Sequence, residues 1–208
     1  LAGHGCDGKA LGEVTIKDWM FDLSEAIEIG RKIGEKIIII GSSTGGTLAA
    51  VGASEKNVSG IILVSPNFKT RYRFFHILTL GYARFWVPLI IGKYRNVNAQ
   101  SKEHAKYWTT YYPTVAIITM AALVKKVVGL NYSQQISPAL FILSEQDEVV
   151  DAKKSLQIAK QWGGKSSTHL VNCGPNDDPN SHTIVGDIKS PTQTKQLVET
   201  SLAWIKSL

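Results

Sequence analysis

Cysteine is nearly missing from this sequence: Cys6 and Cys173 are the only two in 208 residues. Two distant thiols build neither a disulfide framework nor a metal site, so a reducing compartment, and with it a cytoplasmic location, is expected. Long apolar runs are missing too. A membrane-spanning helix needs roughly 18 or more apolar residues in a row. The nearest approaches, VAIITMAALVKKVVGL (115–130) and ILTLGYARFWVPLIIG (77–92), are broken by Lys125 and Lys126 and by Arg84 and Pro88. No stable membrane insertion is expected, and the first residues do not read as a signal peptide. The net charge is +6, yet Lys and Arg are scattered with no block of one sign. That pattern argues against nucleic-acid binding. Repeats and low-complexity tracts are also lacking. What is left, 44% hydrophobic and 19% charged residues, is the composition of a globular domain, long enough to bury roughly 70–75% of its extended surface.

Periodicity then places the elements. Thr15 and Asp18 form a T-x-x-D start signal ahead of Trp19, Leu23, Ile27 and Gly30, which predicts an amphipathic helix ending near Gly34. KIIIIG (36–41) has no polar alternation and reads as a strand covered on both faces. A small-residue helix is expected over 47–53. Further strands are expected in GIILVSP (60–66), ALFILSEQD (139–147) and, more weakly, SSTHLVN (166–172). A helix over 152–162 stops at Gly163-Gly164. A last helix has Ser190 as N-cap, Pro191 at its first position, and Leu197, Val198, Leu202 and Ile205 as its buried stripe. Alternating strands and helices predict an α/β fold with a doubly wound, mostly parallel sheet. One connection breaks the rhythm. Residues 68–135 exceed any ordinary loop and are expected to form an inserted helical cap, rich in aromatics, between core segments 1–67 and 136–208.

The stretch IIIIGSSTGGTLAA (37–50) carries the chemistry. Gly41-Ser42-Ser43-Thr44-Gly45 fits G-x-S-x-G with Ser43 at its centre, while Ser42 fails because Ile40 stands where glycine is required. In a nucleophile elbow, a sharp strand-to-helix turn lifts one hydroxyl above the sheet, and glycines on both sides avoid backbone collisions. A phosphate-binding loop would need lysine after Gly46, where Thr47 stands. A dinucleotide fingerprint would need glycine at position 43. An ordinary tight turn is the remaining alternative.

A serine nucleophile needs a base, and the base an orienting acid, in the chain order Ser, Asp or Glu, His. His4 precedes the serine, His76 and His104 lie in the insertion, and His169 falls inside a predicted strand. Only His182, in the turn-rich NCGPNDDPNSHTIVGD, fits the order. Asp147 ends the third strand, where functional groups collect in open α/β sheets. Glu148 and Asp151 are its rivals, Asp151 being equally suited to cap the following helix.

With these residues in place, the chain resembles the α/β-hydrolase superfamily, in particular the carboxylesterase and monoacylglycerol-lipase branch with a cap between its sixth and seventh strands. LAGHG (1–5), KDWMFDL (17–23), GSSTGG (41–46), SEQDEVVD (144–151) and SHTIVGD (181–187) carry the resemblance. It implies Ser43 as nucleophile, His182 as base, Asp147 as its partner, and the Thr44 amide as one oxyanion donor. His4-Gly5 matches a glycine-histidine-glycine that follows the family's fourth strand, so the first four strands and the second oxyanion donor have no counterpart here. The KIIII strand would then stand at an open edge, an aggregation hazard, and a segment preceding Leu1 is expected in the intact protein.

The resulting expectation is a serine hydrolase that cleaves carboxylic esters of hydrophobic acyl groups through an acyl-enzyme. It would use no metal or organic cofactor. Its partner would be a small-molecule, lipid-like ester, and the oligomeric state is left open. Amide or peptide hydrolysis by the same triad and a non-catalytic binding protein that keeps the elbow as scaffold are the alternatives.

Overall fold

The computed structural model describes residues 1–208. Its first elements start where the sequence supplies caps. Asp7 accepts the Ala10 N–H at 2.9 Å to open α1 (Gly8–Glu13). α2 (Ile16–Ile33) opens on a reciprocal capping box, in which the Thr15 N–H donates to the Asp18 carboxylate at 2.8 Å and the Asp18 N–H to Thr15 Oγ1. Trp19, Leu23 and Ile27 bury the predicted stripe, and Gly34 ends the helix. The isoleucine run forms β1 (Ile37–Ser42), followed after one residue by α3 (Thr44–Ala49). That helix begins earlier than the small-residue pattern suggests, because Ser43 turns the chain at once. β2 (Val58–Val64) comes next.

The long connection holds α4 (Ala83–Ile91), β3 (Tyr94–Asn96), α5 (Lys102–Tyr107), β4 (Tyr111–Pro113) and α6 (Val115–Val128). β3 and β4 pair antiparallel and stack Tyr94 on Tyr111 with centroids 5.0 Å apart, so the segment combines helices and irregular connections with one small ribbon. α6 is shared: Leu123 and Val127 join the main core, while Ile118 packs with Ala83 and Val87 of α4. The chain closes with β5 (Ala139–Leu143), α7 (Ala152–Gln161), β6 (Ser166–Leu170) and α8 (Pro191–Lys206).

The main sheet runs β1-β2-β5-β6, every pair parallel. Successive side chains point to opposite faces, as the pleat requires. Ile61, Leu63, Ala139, Phe141 and Leu143 face the core under α2, α3, α6 and α7; Ile62, Val64, Leu140 and Ile142 face Ile184 and Leu197 on the other side. Helices on both faces make the sheet doubly wound.

Three expectations need correction. β1 stands at the edge of the sheet, as expected, but it is not covered on both faces throughout, since Ile40 is 63% exposed. On α8, Val198 and Leu202 are exposed. The helix instead docks through Leu197, Trp204 and Ile205, with Trp204 and Leu208 lying over Gly60 so closely that a Cβ there would meet Leu208 at 2.5 Å. Ser190 is the N-cap residue of α8 as expected, but its side chain makes no capping bond there. Its hydroxyl donates to the Thr183 carbonyl at 2.6 Å, and Asp177 caps instead, accepting the Thr192 N–H at 3.1 Å.

Candidate active site

Ser43 sits between β1 and α3 with φ 51° and ψ −117°, a conformation L-residues rarely adopt. Its neighbours hold it there. The Ser43 N–H donates to the Val64 carbonyl at 2.9 Å, extending the ladder with β2. The Ser43 carbonyl accepts from the Thr47 N–H at 3.0 Å, the Thr47 hydroxyl at 3.2 Å and the Asn67 N–H at 3.2 Å. Gly41 is required by contact, since a Cβ there would lie 2.4 Å from the Gly45 carbonyl oxygen. The expected requirement at Gly45 is not met in the same way. A Cβ at Gly45 meets nothing within 4 Å beyond its own helix, whereas one at Gly46 would press on the Gly41 oxygen at 3.0 Å and on Pro66 at 3.1 Å. The close approach is therefore made by Gly41 and Gly46. The Thr44 N–H heads α3 and has no partner within the helix.

The three side chains singled out in the sequence lie together. Ser43 Oγ is 2.9 Å from His182 Nε2, and His182 Nδ1 is 2.8 Å from Asp147 Oδ2. Asp147 is buried, and its other oxygen accepts the Val149 and Val150 N–H groups, both at 2.8 Å. A carboxylate on Nδ1 accepts only from a protonated nitrogen, which leaves Nε2 as the lone-pair side facing the serine hydroxyl. The rivals are engaged elsewhere. Asp151 pairs with Lys69 at 2.9 Å, which chiefly holds its carboxyl below the usual range, and caps α7 through the Lys153 N–H. Glu148 contributes its backbone, donating to the Asn180 carbonyl at 2.9 Å and so tying the acid's loop to the histidine's.

Asp178 is the residue sequence reasoning missed. Buried beneath the histidine loop, it accepts the His182 N–H at 3.3 Å and the Thr183 N–H at 2.8 Å, and pairs with buried Lys189 at 3.1 Å. Burial pushes its carboxyl up, but the Thr183 bond and Lys189 outweigh that, and the net shift is downward. Lys189 also reaches Gln100, whose N–H donates to Nδ1 of the buried His104, so one polar network runs from the loop into the insertion. Burial first, then Lys189, push the His104 imidazole below its ordinary pKa. The adjacent acids in GPNDDPNSH are the only sequence signal for this anchor.

Of the remaining histidines, His4 is exposed with its ring tilted toward Trp19 at a centroid distance of 6.0 Å, and His169 lies in β6. His76 is exposed on the insertion. The insertion's aromatics are mostly open to solvent, Tyr72, Phe74, Tyr82 and Phe85 among them.

A family model described as serine aminopeptidase, S33, a hydrolase family, matches residues 1–172. No curated protein matches the chain in sequence. Among solved structures, a chain from work on two metagenome-derived lipolytic enzymes, LipS and LipT, matches with TM-score 0.76 at 18% identity, over 100% of this chain and 80% of that one. The monoglyceride lipase of Saccharomyces cerevisiae matches with TM-score 0.66 at 12% identity, over 99% and 75%. A lipase-esterase related protein from Clostridium acetobutylicum matches with TM-score 0.63 at 19% identity, over 98% and 80%. At such identities the likeness shows the fold, which is that of an α/β-hydrolase.

Proposed function

We propose that this chain, which belongs to the hydrolase family described as serine aminopeptidase S33, cleaves carboxylic esters with Ser43 as nucleophile, His182 as base and Asp147 as the acid that orients it. The observation that carries this reading is the continuous line of hydrogen bonds from Ser43 Oγ through the imidazole to Asp147, at 2.9 and 2.8 Å. As His182 Nε2 takes the hydroxyl proton, Oγ attacks the ester carbonyl carbon. The Thr44 N–H donates to the oxygen that becomes negative, and the imidazolium is stabilised by Asp147. Collapse breaks the ester bond, and the alcohol leaves with the proton from Nε2. Water, deprotonated by the same nitrogen, then releases the acid and restores Ser43.

Residues 68–135 serve as a cap over the core formed by 1–67 and 136–208. The apolar surface they expose, Phe85, Leu89 and Ile90 on α4 above all, favours hydrophobic acyl chains. A rate that rises from acetate to medium-chain p-nitrophenyl esters is the expected outcome, and equal rates would overturn the preference for hydrophobic acyl chains. Ser43→Ala should lower ester turnover by at least about 10⁴-fold with the fold retained. A fluorophosphonate should label the wild type at Ser43 alone. Turnover by Ser43→Ala at the wild-type rate would end the reading. Amide hydrolysis is the second reading, favoured by the family's description as aminopeptidases; assaying an ester beside the matching anilide decides between them.

A further inference from the structure

A sizeable cavity lies apart from Ser43. It measures about 1010 Å³ and lies between the segment that leaves β2, the outer side of α6 and the start of α7. None of Ser43, Asp147 and His182 lines it. Its walls carry Lys69, Arg71, Arg73, Lys125, Lys153 and Lys154, with Asp151 the only carboxylate. That carboxylate is taken by Lys69 at 2.9 Å, and none of the other five cations is in a salt bridge. Like charges gathered around one concavity repel each other and raise the local concentration of anions.

The interior is a different chemistry from the rim. Phe68, Ala121 and Val124 are buried side chains that also line the cavity, and Val128 and Phe75 add apolar surface. Thr70, itself buried, has a hydroxyl in this wall with no hydrogen-bond partner. The volume is at the upper end of the ~300–1,000 Å³ typical of sites for organic ligands, far more than a bare inorganic ion fills.

We propose that this cavity binds a single-chain amphiphile with an anionic head, the hydrocarbon lying on Phe68, Val124 and Val128 and the head among Arg71, Arg73 and Lys125. The juxtaposition of unpaired cations with a buried apolar floor accounts for both halves of such a ligand. This inference is independent of the hydrolase reading, because it concerns binding away from the triad and is read without turnover.

Titration calorimetry on the wild-type chain with dodecanoate, dodecyl phosphate, dodecanol and inorganic phosphate tests it, beside the triple variant Arg71→Gln, Arg73→Gln, Lys125→Gln. These three side chains are exposed and make no side-chain hydrogen bonds, and unchanged ellipticity verifies that the variant folds. At least one of the two anionic amphiphiles should bind about tenfold or more tightly than dodecanol and inorganic phosphate, and lose about tenfold or more in the variant. The tighter of the two identifies the head as carboxylate or phosphate. Dodecanol binding as tightly would leave the cations no role, and inorganic phosphate binding as tightly would leave the apolar floor none. No binding by either amphiphile, or full affinity in the variant, overturns the proposal.

Discussion

Ser43 keeps its hydroxyl toward His182 at the cost of a backbone conformation worth about 1–3 kcal/mol of strain. Three donors on one carbonyl and a ladder bond to β2 hold it there. The two glycines flanking the motif are unequal in this respect. Gly41→Ala drives a methyl into backbone that cannot retreat, so a loss of about 3 kcal/mol or more, or failure to fold, is expected. Gly45→Ala adds a methyl where nothing outside the helix meets it and should be neutral or stabilising by up to about 1 kcal/mol. Chemical denaturation of both variants checks this, and equal destabilisation would refute the distinction. The motif G-x-S-x-G located the serine in the sequence, but it could not tell a glycine demanded by contact from one that is not. That difference depends on how tightly α3 folds back on β1, which the pattern does not encode.

At the scale of elements, the serine's strand end is joined by two loops at the carboxyl edge of the sheet. The loop bearing His182 is hung on Asp178 and Asp177. Replacing Asp178 by Asn leaves Lys189 buried without its counter-charge, at a cost of about 3–5 kcal/mol. Turnover should fall with it, since the His182 and Thr183 amides lose a charged acceptor. Calorimetric melting of Asp178→Asn beside wild type measures the first, and an esterase assay the second. Both carboxyls lie below their ordinary pKa: burial opposes ionisation, but the Thr192 hydroxyl and Gly174 amide at Asp177, and the Thr183 amide and Lys189 at Asp178, outweigh it. Because the unfolded chain takes up these protons at higher pH than the folded one, their stabilisation is full above the ordinary carboxylate value. It is lost as pH falls through the depressed folded values. Melting temperature should therefore drop below about pH 4, and the slope should be shallower in Asp178→Asn. The order Ser, Asp, His was legible in the chain, because each residue ends or follows a readable strand. The anchor was not, since nothing in NDDP says which acid caps α8 and which meets a lysine eleven positions on. The α8 stripe was misread for a similar reason: apolar residues mark two faces of that helix, and the slot over Gly60 selects the one with Trp204.

For the molecule as a whole, the doubly wound sheet was readable from its unbroken apolar strands, while the shape of the long connection, with its ribbon of aromatics and shared α6, was not. β1 terminates the sheet and presents unpaired backbone groups beside a 63% exposed Ile40. Such an edge invites strand-to-strand association, which charge suppresses. Ile40→Lys should reduce concentration-dependent self-association in sedimentation velocity while leaving the melting temperature within about 1 kcal/mol equivalent of wild type. Equal association by both chains would show that the edge is not the sticking point.

Ser43 and His182 meet across 139 positions of chain. A polypeptide still emerging from the ribosome therefore carries an inert hydroxyl until its last quarter has been made and has docked. If Ser43 acts as proposed, reactivity toward a fluorophosphonate reports completed folding and is expected to be silent in every nascent or clipped form that lacks the histidine loop.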